Sequence, residues 1–183
     1  MRLFHSSPIL LAPGSIVEPG NWGRIEKTEI LSNFLIVNYL LELERKSNHQ
    51  NKPSRMKSCF ACPHETFVHS YLQQTGKHVD LIYEVEIVDS SAPTFTTYWN
   101  LTETPALPNG SQLPGLTWLN TVEAQAKQYW NWDKNPIYVP GVYGWLESII
   151  ASPIRIISRI DRRNEPLSND ELNAAFHEVL AAQ

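Results

Sequence analysis

The chain has 183 residues, of which 42% are hydrophobic and 19% charged, and a formal net charge of −4. That length holds one domain with a proper core, and the balance excludes general disorder and any global attraction for nucleic acid or anionic membrane, though not a local basic patch. No apolar run is long enough to span a membrane, and polar residues interrupt the opening too early for a signal peptide, so the cytoplasm is the expected compartment.

Thirteen prolines scattered through the sequence predict many turns and short elements rather than a helix bundle. "RLFH" reads as a short strand with Leu3 and Phe4 on opposite faces, followed by a loop with two Pro-Gly turns around the extended "SIV". "TEILSNFLIVNYLLELERKS" is a helix, its apolar residues Ile30, Phe34, Val37 and Leu41, with Leu35 and Tyr39, recurring at three- and four-residue spacing. A polar, basic loop then leads to the strand "SCFAC". "HETFVHSYLQQTG" predicts a helix closed by Gly76, and "VDLIYEVEIV" a strand alternating Leu81, Tyr83, Val85 and Ile87 against Ile82, Glu84, Glu86 and Val88.

"TFTTYWNLTE" predicts a further strand, and "LNTVEAQAKQYWN" a helix with Val122, Ala126, Tyr129 and Trp130 on one face. "GWLESIIASPIRIISRID" supplies two strands around Ser152-Pro153. The tail carries a capping box at Ser168 and Glu171, then a helix with Leu172, Ala175, Phe176, Val179 and Leu180 on one stripe. Strands and helices mix without regular alternation, so the expected class is α+β and a doubly wound parallel sheet is not expected.

Cys59 and Cys62 form a CxxC, with His64 and His69 nearby. A redox pair or half a zinc site is one reading; buried thiols on an apolar strand are the better one, since no second CxxC exists and no metal is expected.

The order of these pieces resembles the ADP-ribosyltransferase fold, in particular its small bacterial His-Tyr-Glu members such as the rifampin-modifying enzymes and certain phage anti-defence proteins. The residues that carry the likeness are the "FHSSP" opening, the "SCFA" strand with a helix directly behind it, "IYEVEI", and "LESI" before "IRIISRI". The resemblance covers about residues 1–160. It implies a split, mixed or antiparallel β-sandwich with flanking helices, leaving 161–183 as an amphipathic helix available to a partner. It places His5, Ser6 and Ser7 at the ribose and nicotinamide end of NAD, Phe60 in the position of the ring-stacking aromatic, and Glu147 as the late-strand glutamate. Trp145 stands two residues earlier, where arginine-modifying toxins have Glu or Gln.

The chemistry fits those residue types. Cleavage of the nicotinamide–ribose bond passes through an oxocarbenium-like sugar, which a carboxylate gripping the 2′-hydroxyl stabilises. An aromatic face suits the flat nicotinamide cation; Trp22, Tyr143 and Trp145 are alternatives to Phe60. Arg24 and Arg55 are candidates for the pyrophosphate. Each residue also has a plain reading: His5 as a strand-end cap, Glu147 as a solvated carboxylate, Phe60 as core.

The expected activity is NAD-dependent transfer of ADP-ribose to a cytoplasmic target, either protein or nucleic acid, in a toxin or phage-defence setting with an antitoxin or other partner on the C-terminal helix. Arg155, Arg159, Arg162 and Arg163 would offer a local cationic surface. The alternatives are a non-catalytic nucleotide- or protein-binding module on the same scaffold, and a transferase acting on a small molecule such as an antibiotic.

Overall fold

Each predicted strand and helix that lies within the described residues forms, except that the strand predicted over "TFTTYWNLTE" ends at Tyr98 and gives way to a 3-10 turn at Trp99–Thr102. A computed structural model describes residues 2–21, 33–77, 79–103, 105, 115–134, 136 and 144–182. In chain order the elements are β1 (Leu3–Ser7), β2 (Ile16–Val17), α1 (Asn33–Asn48), β3 (Cys59–Ala61), α2 (Glu65–Thr75), β4 (Leu81–Ile87), β5 (Thr94–Tyr98), α3 (Leu116–Trp130), β6 (Leu146–Ile150), β7 (Ile154–Ile160) and α4 (Asn169–Ala181). The class is α+β, as expected, with two antiparallel sheets.

One sheet runs β1-β4-β7-β2 and the other β3-β6-β5. They meet at one seam, where Phe4 and Cys62 exchange two backbone hydrogen bonds of 2.9 and 2.7 Å. Leu3, Tyr83, Val85, Ile154 and Ile156 of the first sheet share one apolar cluster with Cys59, Ala61 and Ile150 of the second. A larger cluster joins Phe4, Ile82, Phe95, Leu146 and Ile149 to all four helices. Cys59 and Cys62 therefore lie in different clusters, both buried and both free thiols. Alternation along a strand sends residues i and i+3 to opposite faces, so this CxxC is not a closed redox pair.

Two patterns depart from the sequence reading. The alternation in β4 is incomplete: Ile82 is as buried as Tyr83, because helices cover one face while the second sheet covers the other. A bulge between Glu84 and Val85 shifts the register against β7. On α1, Val37 and Leu41 are buried as expected, but Tyr39 faces out at 53% exposure and Asn38 is fully buried. The inward arc of this helix centres on 37, 38 and 41, which puts 39 on the far side.

The helix ends follow local chemistry. His64 caps α2, its Nδ1 accepting from the Thr66 N–H at 3.1 Å, and Gly76 closes it at φ 66°. The Ser168–Glu171 capping box is complete on both sides.

The C-terminal helix is a layer of the same core and not an appendage. Phe176 meets Phe67 edge-on at 5.0 Å and Tyr98 at 5.7 Å, and Leu172, Ala175 and Val179 are buried beside it. The stripe expected to dock a partner is thus spent on the chain's own fold. No helix among the described residues is long and apolar enough to cross a membrane.

Candidate functional site

The short 3-10 turn Arg55–Lys57 leads directly into β3 and points Arg55 inward rather than to solvent; its residue is 2% exposed. An interior guanidinium needs a counter-charge, since several kcal/mol of hydration is otherwise lost. Glu147, second residue of the buried strand β6, supplies it: Arg55 Nη1 donates to Glu147 Oε1.

Two further side chains complete the cluster. The Tyr129 hydroxyl, from α3, donates to the same Oε1 at 2.8 Å and accepts from Arg55 Nη1. Asn38 Oδ1, from α1, accepts from Arg55 Nε at 3.3 Å. The guanidinium carbon lies 4.9 Å from the Phe60 ring centre and 5.3 Å from that of Tyr129.

Burial works against the Arg55 charge, but Glu147 and Tyr129 outweigh it and hold the guanidinium pKa above its ordinary value. Burial likewise pushes the Tyr129 phenol well above the usual tyrosine range. Both contacts to the carboxylate fall on Oε1. Among the described residues Glu147 Oε2 takes no hydrogen bond, leaving an acceptor for one more donor.

His5 approaches from the other sheet. Its Nδ1–H donates to the Phe60 carbonyl at 2.8 Å, which fixes the tautomer and leaves Nε2 as an acceptor in the neutral ring. Burial lowers the His5 pKa, with the Phe60 carbonyl and Asp80 acting in the opposite direction. His5, Phe60, Arg55 and Glu147 thus form one chain of contacts across the seam.

The remaining expectations fare differently. Arg55 serves Glu147 and is not free for a pyrophosphate. One face of Phe60 carries that guanidinium. Ser6 is half-buried on β1, and Ser7, the last residue of that strand, accepts from the Ile9 N–H through its Oγ at 3.2 Å. Trp145 is packed against Trp99, ring centres 4.0 Å apart, and is no platform for a ligand. Trp22, Arg24 and Tyr143 lie outside the described residues.

No protein-family model matches the chain, and no curated protein does.

No group of three or more His, Cys, Asp or Glu among the described residues is arranged to hold an ion. Burial pushes the Cys59 thiol up to about 11 and that of Cys62 higher still, which keeps both protonated and unreactive.

Two of the four arginines of the expected cationic surface are paired with carboxylates, Arg155 with Glu86 at 2.6 Å and Arg163 with Glu171. Cavities of about 230 and 240 Å³ lie along α2, the first lined by His64, Glu65, His69, Asp161, Arg162 and Arg163, the second by Ser70, Gln73, Gln74 and Leu172. Neither is lined by His5, Phe60 or Glu147.

Asn38 and Tyr129 are the members that sequence reasoning missed. The signals were a polar residue between Val37 and Leu41 on an inward arc, and a hydroxyl on the apolar face of α3. A buried Tyr or Asn must find hydrogen-bond partners, so each pointed to an interior polar group.

Proposed function

We propose that the chain is an NAD-dependent ADP-ribosyltransferase acting on a protein or nucleic acid. The observation that carries this reading is the convergence of four residues from three distant segments of the sequence. His5 bonds to the Phe60 backbone, the Phe60 ring carries Arg55, and Arg55 pairs with Glu147.

In this reading Glu147 Oε2 accepts a ribose hydroxyl of NAD, and the neutral His5 Nε2 accepts another. The bond between the nicotinamide nitrogen and the ribose anomeric carbon breaks, and its electron pair leaves with neutral nicotinamide. An acceptor nucleophile then bonds to that carbon and loses its proton to solvent water. Positive charge on the sugar peaks in the transition state, so a fixed carboxylate lowers the barrier more than it tightens ground-state binding. Arg55, itself held by Asn38, pins the carboxylate from one side, and preorganisation of this kind avoids a reorganisation cost during reaction.

A second reading is favoured by burial. Glu147 is 5% exposed and Arg55 2%, and a closed ion pair of this kind also serves a non-catalytic nucleotide- or protein-binding module.

One experiment separates them. The protein is incubated with labelled NAD and cell lysate, and wild type is compared with Glu147→Gln well below the melting temperature of both, with NAD binding measured in parallel. Transfer of label that falls by about 100-fold or more in the variant supports the enzyme. Saturable NAD binding without transfer supports the module, and absence of both overturns the NAD reading. Separate digestion of the labelled lysate with protease, RNase and DNase identifies the acceptor class.

A further inference from the structure

We propose that Tyr129, locked in place by Thr97, is the positioning residue for the Glu147 carboxylate; this rests on the ribosyl-transfer reading above. The argument begins with what the hydroxyl is for. Tyr129 is fully buried on the apolar face of α3, beside Val122, Ala126 and Trp130. Phenylalanine would fill that space without burying a polar atom. The hydroxyl meets Glu147 and Arg55, so its cost of burial is offset by that pair.

The second observation concerns how Tyr129 is itself held. Thr97 on β5 lies directly across from Glu147 on β6 in the strand register. Its Oγ1 donates to the Tyr129 backbone carbonyl at 2.9 Å, and Thr97 is fully buried. Three links therefore close a circuit: Glu147 to Thr97 across the ladder, Thr97 to the Tyr129 main chain, and the Tyr129 hydroxyl back to Glu147 Oε1. Such a circuit fixes both the height of α3 over the sheet and the rotation of the carboxylate. It also directs both donors to Oε1, which leaves Oε2 for substrate.

Tyr129 touches no substrate in this arrangement, so its loss should act on rate and not on affinity. A carboxylate displaced by about 1 Å costs up to about 100-fold in rate. The test measures turnover of labelled NAD by wild type, Tyr129→Phe, Thr97→Val and the double variant, each well below its melting temperature. The expected result for Tyr129→Phe is a kcat about 10- to 100-fold lower with KM for NAD within about twofold of wild type. Thr97→Val should show a smaller loss, and the double variant should be no worse than Tyr129→Phe alone, because both act through one circuit.

If the Tyr129→Phe variant turns over like wild type, the positioning role is overturned while ribosyl transfer stands. A rise in KM with unchanged kcat also overturns it, since that marks lost substrate binding. Losses that simply add in the double variant remove the Thr97 link. A wild-type protein that consumes no NAD brings down the underlying reading, and this inference with it.

Discussion

At the scale of single residues, the Arg55–Glu147 pair is a buried ion pair whose two charges depend on each other. Removing one partner strands the other charge, which typically costs about 3–5 kcal/mol, whereas removing both charges together is often nearly neutral. Glu147→Gln and Arg55→Met should therefore each lower stability by an amount in that range, while the double variant loses much less than their sum. Chemical denaturation of the four proteins in a double-mutant cycle checks this, and strict additivity would mean the two side chains do not interact. Glu147 and Arg55 were both visible in the sequence as candidate residues. Their pairing was not, because 92 positions separate them and nothing local encodes the contact. Gly144 gives a similar lesson. Nothing in the sequence marks it as special, but a Cβ there would collide with the Tyr98 ring and the Asn100 side chain, and its carbonyl accepts from Ser70 Oγ at 3.2 Å. Close approach, and not turn geometry, demands glycine just before the strand that carries Glu147.

Among the elements, α4 shows how much a terminus can depend on a few groups. The Ser168 backbone N–H, with Arg163 behind it, holds the Glu171 carboxyl at about 2, well below its ordinary value of 4.5. A depressed carboxyl contributes stability above the ordinary value, and that contribution fades as the pH falls from 4.5 toward 2. Ser168→Ala removes the side-chain half of the box and should cost about 1 kcal/mol. In a chain of this size that is a drop of about 2–4 °C in melting temperature, read by circular dichroism. The capping box was legible because it is a local motif with fixed spacing. The fate of the apolar stripe behind it was not. Periodicity identifies a face that must be covered, without saying whether the cover is a partner or, as with Phe67 and Tyr98 here, the same chain.

For the molecule as a whole, acid sensitivity follows from its histidines. His5, His49 and His69 all have pKa values lowered by burial from the ordinary 6.5. Between the lowered values and 6.5 the unfolded chain binds more protons than the folded one, so stability rises with pH through that window and falls on acidification. The melting temperature should drop steadily as the pH is taken from 7 to 5, and replacing His5 by a neutral residue should flatten part of that slope. A flat profile would contradict the burial of these rings. The α+β class could be read from the mixture of periodicities in the sequence. Strand order could not, because β1 pairs with β4 about 80 residues on, and the sheets are bridged by Phe4 and Cys62, which are also far apart in the sequence.

The order β3-β6-β5 carries a consequence for synthesis. β6 is the middle strand of that sheet, so β3 and β5 emerge from the ribosome with no neighbour until residues 146–150 follow. β2 waits longer still, for the start of β7. Until then the nascent polypeptide can assemble little sheet beyond the β1–β4 ladder, and its remaining strand edges are open to strangers. The interior that shelters Glu147 therefore closes only after β6 and β7 have been made.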